Sequence, residues 1–194
     1  VISFIEYGLN YNSSSSLTFY LTRSANNRII QQTDWSGGAG YAGPVPHPDN
    51  KFDSQTNINY STEGQITMAT TTIDAELTSS IIDTGIVGGA GFNSLLWQGS
   101  KNNGSVKIMI ASSNSSNGPW TYYGCITVPS SCLDSNNWTT SSSSVASLDP
   151  NVSLPLPFSG DMSPQNERYI RYKVFLSTSG TSPQINDIII NWSP

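Results

Sequence analysis

The segment Arg168-Tyr-Ile-Arg-Tyr-Lys-Val-Phe-Leu-Ser-Thr178 alternates without a break. Ile170, Tyr172, Val174 and Leu176 fall on one side, and Arg171 and Lys173 on the other. A period of two with one apolar side marks a half-buried antiparallel strand, because successive side chains of a strand point to opposite faces. After residues 180–183, the run Gln184-Ile-Asn-Asp-Ile-Ile-Ile-Asn-Trp192 repeats the pattern, with Ile188, Ile190 and Trp192 on its core side. The expectation is a closing β-hairpin inside a sandwich, with its turn at 180–183.

The rest of the chain reads the same way. Strands are expected at 2–9, 17–23, 28–32, 65–69, 77–84, 92–98, 106–112 and 120–123, and no window carries the three-and-four apolar spacing of a helix. Val106, Ile108 and Ile110 share one face of their strand, opposite Lys107 and Met109. Lys101-Asn-Asn-Gly104 and Gly88-Gly-Ala-Gly91 are turn chemistry, Asn-Gly being a strong hairpin signal. Residues 34–49 are expected to be a long loop rich in Gly and Pro. Residues 129–158, rich in Ser, Asn and Pro, are expected to be an exposed loop insertion at one end of the sandwich. The strand at 1–9 is apolar on both faces, which calls for a central position or for addition to a neighbouring subunit. The fold class expected is all-β, an antiparallel β-sandwich with long exposed loops, in one domain spanning 1–194.

Composition removes several function classes. Charged residues make up 11% of the 194, against about 25% in an average soluble protein, and the net charge is −5. The eight basic residues are scattered apart from Arg168, Arg171 and Lys173, so a phosphate backbone would find no basic patch and nucleic acid is not an expected partner. No stretch reaches the roughly 18–20 apolar residues of a membrane helix. Cys125 and Cys132 are either two thiols or a short disulfide across one loop. The low charge and abundant Ser, Thr and Asn suit an extracellular surface and favour the disulfide.

Catalytic constellations are thin. His47 is the only histidine and lies between two prolines, so neither a His-rich zinc site nor a well-held triad base is available. The thirteen acidic residues show no pairing pattern, and no catalytic residue is expected. Asp49, Asn50 and Asp53 cluster in a loop with main-chain carbonyls, the oxygen-rich setting of a structural calcium, with solvated turn carboxylates as the alternative. The best binding signal is aromatic. Trp35, Tyr41, Trp120, Tyr122, Tyr123 and Trp138 sit in or beside loops. Flat rings there can stack on sugar faces while polar neighbours bond the hydroxyls, although Trp120 also reads as a core plug, as do Trp97 and Trp192. Seven Asn-x-Ser/Thr sequons occur, at Asn12, Asn59, Asn103, Asn114, Asn137, Asn151 and Asn191, where composition alone gives about five.

The ordered set Ser79-Ser-Ile-Ile-Asp-Thr-Gly85, Leu96-Trp97 and Val106-Lys-Ile-Met-Ile-Ala-Ser-Ser113, with 168–176 and Asp187-Ile-Ile-Ile190, resembles a jelly-roll module of bacterial secreted and surface proteins. Gln32-Thr-Asp-Trp-Ser-Gly-Gly38, Asn57-Ile-Asn-Tyr-Ser-Thr62 and Gly64-Gln-Ile66 are similar to a segment that often precedes it, so the resemblance covers 29–194. The combination resembles surface proteins of candidate-phyla bacteria, some carrying a type IV prepilin-type N-terminal helix. It implies a jelly-roll sandwich and an extracellular, non-enzymatic structural or adhesive module, the globular head of a pilin-like or adhesin subunit. Copies of itself in a filament are the partner this implies; the alternative, read from the loop aromatics and not from the resemblance, is a carbohydrate-binding module with Trp35, Tyr41, Trp120 and Trp138 as its stacking residues and glycans as its partner. The chain holds no long apolar helix, so the expectation is a head without its stalk, any N-terminal anchor having been removed.

Overall fold

The computed structural model describes residues 28–32, 52–127, 132, 134–156 and 165–194. The strands are β1 (Arg28–Gln32), β2 (Phe52–Thr56), β3 (Ile58–Asn59), β4 (Ile66–Met68), β5 (Ala75–Ser79), β6 (Ile82–Asp83) and β7 (Ala90–Ser100). They continue with β8 (Ser105–Ser113), β9 (Gly124–Cys125), β10 (Trp138–Thr139), β11 (Leu154–Pro155), β12 (Gln165–Glu167), β13 (Tyr169–Ser177) and β14 (Gln184–Ser193). Every pairing is antiparallel, and the strands form a sandwich of two main sheets with a small β9–β10 ribbon beside them.

One sheet is centred on β7 and β14. The outer edge of β14 takes β4 and then β1, β3 joins β4, and the outer edge of β7 takes β12 and β11. The other is centred on β13. Along its whole length β13 pairs with β8, while its opposite edge pairs with β5 and then β6, and β2 lies outside β5. Between the sheets, Phe92, Leu95, Trp97, Ile188, Ile190 and Trp192 meet Val106, Ile108, Ile110, Ile170, Tyr172, Val174 and Leu176, all essentially buried. Each aliphatic side chain of this kind contributes about 1.5–3 kcal/mol on removal from water. The alternation of 169–177 therefore does what its pattern dictates.

The expected closing hairpin does not form. β13 and β14 belong to opposite sheets, so residues 178–183 are an arch over the end of the core. A period of two demands one buried face per strand, and strands lying face to face satisfy it as well as strands lying side by side. The Asn-Gly turn behaves likewise. Gly104 N donates to Lys101 O at 2.7 Å in a tight turn with Asn102 and Asn103 at φ 47° and 65°, yet it joins β7 to β8 in the opposite sheet. The two arches nest, because β7 pairs with β14 and β8 with β13.

Two more crossings occur at this end, β2 to β3 through Asn57 and β4 to β5 through residues 69–74. Side chains tie all four together. Asn57 Nδ2 donates to the carbonyls of Thr70 and Ile73, both at 2.8 Å, and its Oδ1 accepts from Thr70 N at 2.9 Å. Ser182 Oγ accepts from Met68 N at 2.8 Å, and Ser182 O accepts from Asn102 Nδ2 at 2.9 Å.

The described residues of the segment expected as an exposed insertion, 129–158, run along one side of the sandwich, with 141–144 and 151–153 exposed and other positions bonded to the sheets. Leu148 N donates to Val106 O in β8, and Asn151 N donates to Trp97 O in β7, each at 2.8 Å. Its own Val145, Leu148, Leu154 and Leu156 are buried. The two sheet edges beneath it would otherwise present unpaired donors and acceptors, and this polar stretch satisfies them.

Candidate functional site

Sheet register places two cations on the outward face of β13. Arg171 lies opposite Ala111 and Lys173 opposite Met109, both on β8. On the far edge of β8, Tyr123 bridges Ile110, with N–H···O bonds of 2.8 Å in both directions. Tyr123 packs against the core, and the neighbouring Tyr122 and Trp120 rings lie within reach of the outward side chains of β13. There the Arg171 guanidinium lies 5.6 Å from the Trp120 ring centroid, and Lys173 Nζ lies 5.1 Å from that of Tyr122. These are cation–π distances, worth about 0.5–1 kcal/mol at partly exposed sites. Ala111 and Met109 are buried although they face outward, Met109 lying against Gly124 beside Val145.

Each cation also holds a carboxylate. Arg171 Nη2 is 2.6 Å from Asp53 Oδ2, and Lys173 Nζ is 2.8 Å from Glu76 Oε1. Asp53 reaches Arg171 because it is the extra residue of a β-bulge. Phe52 pairs with Ser79 and Ser54 with Thr78, leaving Asp53 unmatched and re-aimed onto the outer face. Glu76 stands diagonally from Lys173 across the β5–β13 pair. Burial pushes the Tyr122 phenol above its ordinary range; Arg171 opposes the shift, and Asp53 and Glu76 add to it. Trp120 and Tyr122 remain half-buried, with Thr121 exposed between them. The result is a pair of fixed rings beside two compensated ion pairs, a surface suited to stacking and hydroxyl bonding.

The expected site residues separate on this structure. Trp120 lies on the face just described. Trp138, expected as a loop ring available for stacking, is a core residue in β10, and its Nε1 donates to Cys132 O at 2.6 Å. The disulfide explains its position: Cys125 and Cys132 are bonded, with Cα atoms 5.8 Å apart, and the closed loop holds the Cys132 carbonyl over the indole. Trp35, Tyr41, His47, Asp49 and Asn50 lie outside the described residues, as do the strands expected at 2–9 and 17–23. Asp53, expected among calcium ligands, has its carboxylate on a guanidinium. Among the described residues no three His, Cys, Asp or Glu side chains converge on a metal position, and no helix is long and apolar enough to cross a membrane. Sequence reasoning missed Asp53 as the partner of Arg171, and Glu76 as that of Lys173. Arg171 and Lys173 were visible as the polar side of β13, but their partners stand 118 and 97 residues away.

The chain matches no protein-family model, no curated protein and no solved structure.

Proposed function

We propose that this chain is an extracellular, non-enzymatic adhesive module, the globular head of a pilin-like or adhesin subunit, which engages glycan through the face formed by Trp120 and Tyr122. The observation that carries the reading is the seating of both rings on Arg171 and Lys173 across the outside of β8. Rings held in advance lose little freedom when a sugar stacks on them, and pre-organisation of this kind is what converts a small contact into useful affinity. The disulfide and the Ser-, Thr- and Asn-rich surface support an oxidising, extracellular setting.

Binding of the chain to a glycan array, compared with Trp120→Ala, tests the reading. Signal on a defined group of glycans that disappears in the variant is the expected result. A blank array, with ordered filaments of the full-length protein under the electron microscope, would leave the scaffold role and remove the glycan one.

A further inference from the structure

We infer that the Trp120–Tyr122 face selects uncharged glycans over acidic ones, and that Asp53 and Glu76 make the selection. This rests on the glycan reading above and adds the ligand's charge class.

A stacking face that recognises a uronate, sialate or sulfate needs a cation whose donors are free to meet it. Both cations here are already paired with a carboxylate. Arg171 gives Nη2 to Asp53 at 2.6 Å, and both Nε and Nη2 to Ser79 O at 3.1 and 2.9 Å. Lys173 gives Nζ to Glu76 at 2.8 Å. Of the four charged side chains Arg171 is the most buried, at 10% exposure, and Lys173 is 30% exposed, while Asp53 and Glu76 stand 50% and 42% exposed. In each pair the acidic side chain is the more exposed member, so it stands open to an incoming ligand beside the aromatic rings. Its carboxylate oxygens accept readily from sugar hydroxyls and repel an anionic substituent.

Two cations against two carboxylates leave the face without net charge, so a neutral chain of sugars suffers no electrostatic penalty there.

The test is titration calorimetry of the disulfide-intact chain with neutral oligosaccharides of glucose, xylose, mannose and N-acetylglucosamine, and with acidic ones of galacturonate, mannuronate and sulfated galactose. Each is measured at low and at physiological salt. The expected result is binding confined to one or more neutral oligosaccharides and nearly insensitive to salt. In the double variant Asp53→Asn/Glu76→Gln the uncovered Arg171 and Lys173 should raise acidic-oligosaccharide affinity by about tenfold, with a steep salt dependence. The single variant Glu76→Gln, on the more exposed pair, provides the same comparison where the double variant fails to fold. Wild-type preference for acidic oligosaccharides, lost in Trp120→Ala, would overturn this inference and leave the glycan reading standing. Absence of binding to every oligosaccharide would remove both.

Discussion

Arg171 repairs a gap in the sheet with Ser79. On one edge of β13 the partner changes from β5, which ends at Ser79, to β6, which begins at Ile82. Opposite Arg171 and Tyr172 the ladder is interrupted, and side chains supply the missing bonds. Tyr172 N donates to Ser79 Oγ at 2.9 Å, and the Arg171 guanidinium donates twice to Ser79 O. Lysine carries one ammonium on a flexible stem and cannot reproduce that fork while also meeting Asp53. Arg171→Lys should therefore cost about 1–3 kcal/mol, the range for leaving a buried acceptor poorly satisfied. Urea unfolding measures the loss, and a midpoint equal to that of the wild type would show that the gap needs no patch.

Asp83 ties the other end of β13 to β6. Its carboxylate takes Arg168 Nε and Nη2, both at 2.7 Å, and also accepts Gly85 N at 2.7 Å. The Arg168 bonds hold the carboxyl below its ordinary range, against the opposing effect of burial. A depressed folded-state value means that the unfolded chain binds the proton first as pH falls. The contribution to stability is therefore complete above the ordinary carboxylate range and is lost as pH drops through the folded value. Asp83→Asn should be less stable than the wild type near neutrality, with the difference closing in acid. Unfolding curves from pH 7 downward check this, and a constant difference at every pH would refute the assignment.

The disulfide closes the loop that carries the Trp138 anchor. Cys125 and Cys132 are seven residues apart, and a loop of this size is worth about 2–3 kcal/mol through restriction of the unfolded chain. Cys125→Ser/Cys132→Ser should lower stability by that amount and loosen residues 134–148 against β8. Hydrogen exchange at Leu148, whose N–H is bonded to Val106 O, reports the loosening. The backbone amides of β2, β5 and β13, which carry the outer-face ion pairs, should keep their protection.

Much of this architecture was legible because alternation is a local property. The bounds of β1, the core faces of β8 and β13, and the burial of Trp97 and Trp192 follow from side-chain period and residue type alone. Partnership was not legible. Nothing in 168–192 distinguishes a hairpin from an arch, since both bury the same alternate residues. Trp120 and Trp138 show the same limit at the level of one side chain. Both sit in polar, turn-rich stretches, and only the fold lays one over β8 and buries the other beneath a disulfide loop. The bulge at Asp53 leaves no mark in the sequence, because it arises from a register mismatch with β5.

Gly118 determines where the Trp120 ring can lie. Its φ is +84°, a conformation that residues with a Cβ adopt at a cost of about 1–2 kcal/mol. A Cβ at this position would stand 2.8 Å from Trp120 Cδ1 and 3.1 Å from its Nε1. Such distances are inside van der Waals contact, so Gly118→Ala must move the indole or the turn beneath it. The displaced ring leaves the Arg171 guanidinium, while Tyr122, held by Lys173 two residues further on, is expected to stay. The sandwich itself should fold, because Gly118 lies outside every strand. Indole N–H resonances assigned by comparison with Trp120→Phe report the displacement, and under the proposed glycan reading affinity for the oligosaccharide should fall with it. A Gly118→Ala protein with an unshifted Trp120 resonance would show that the turn, not the ring, absorbs the methyl group. Unchanged resonance with lost affinity would place the binding contact on the turn itself rather than on the indole.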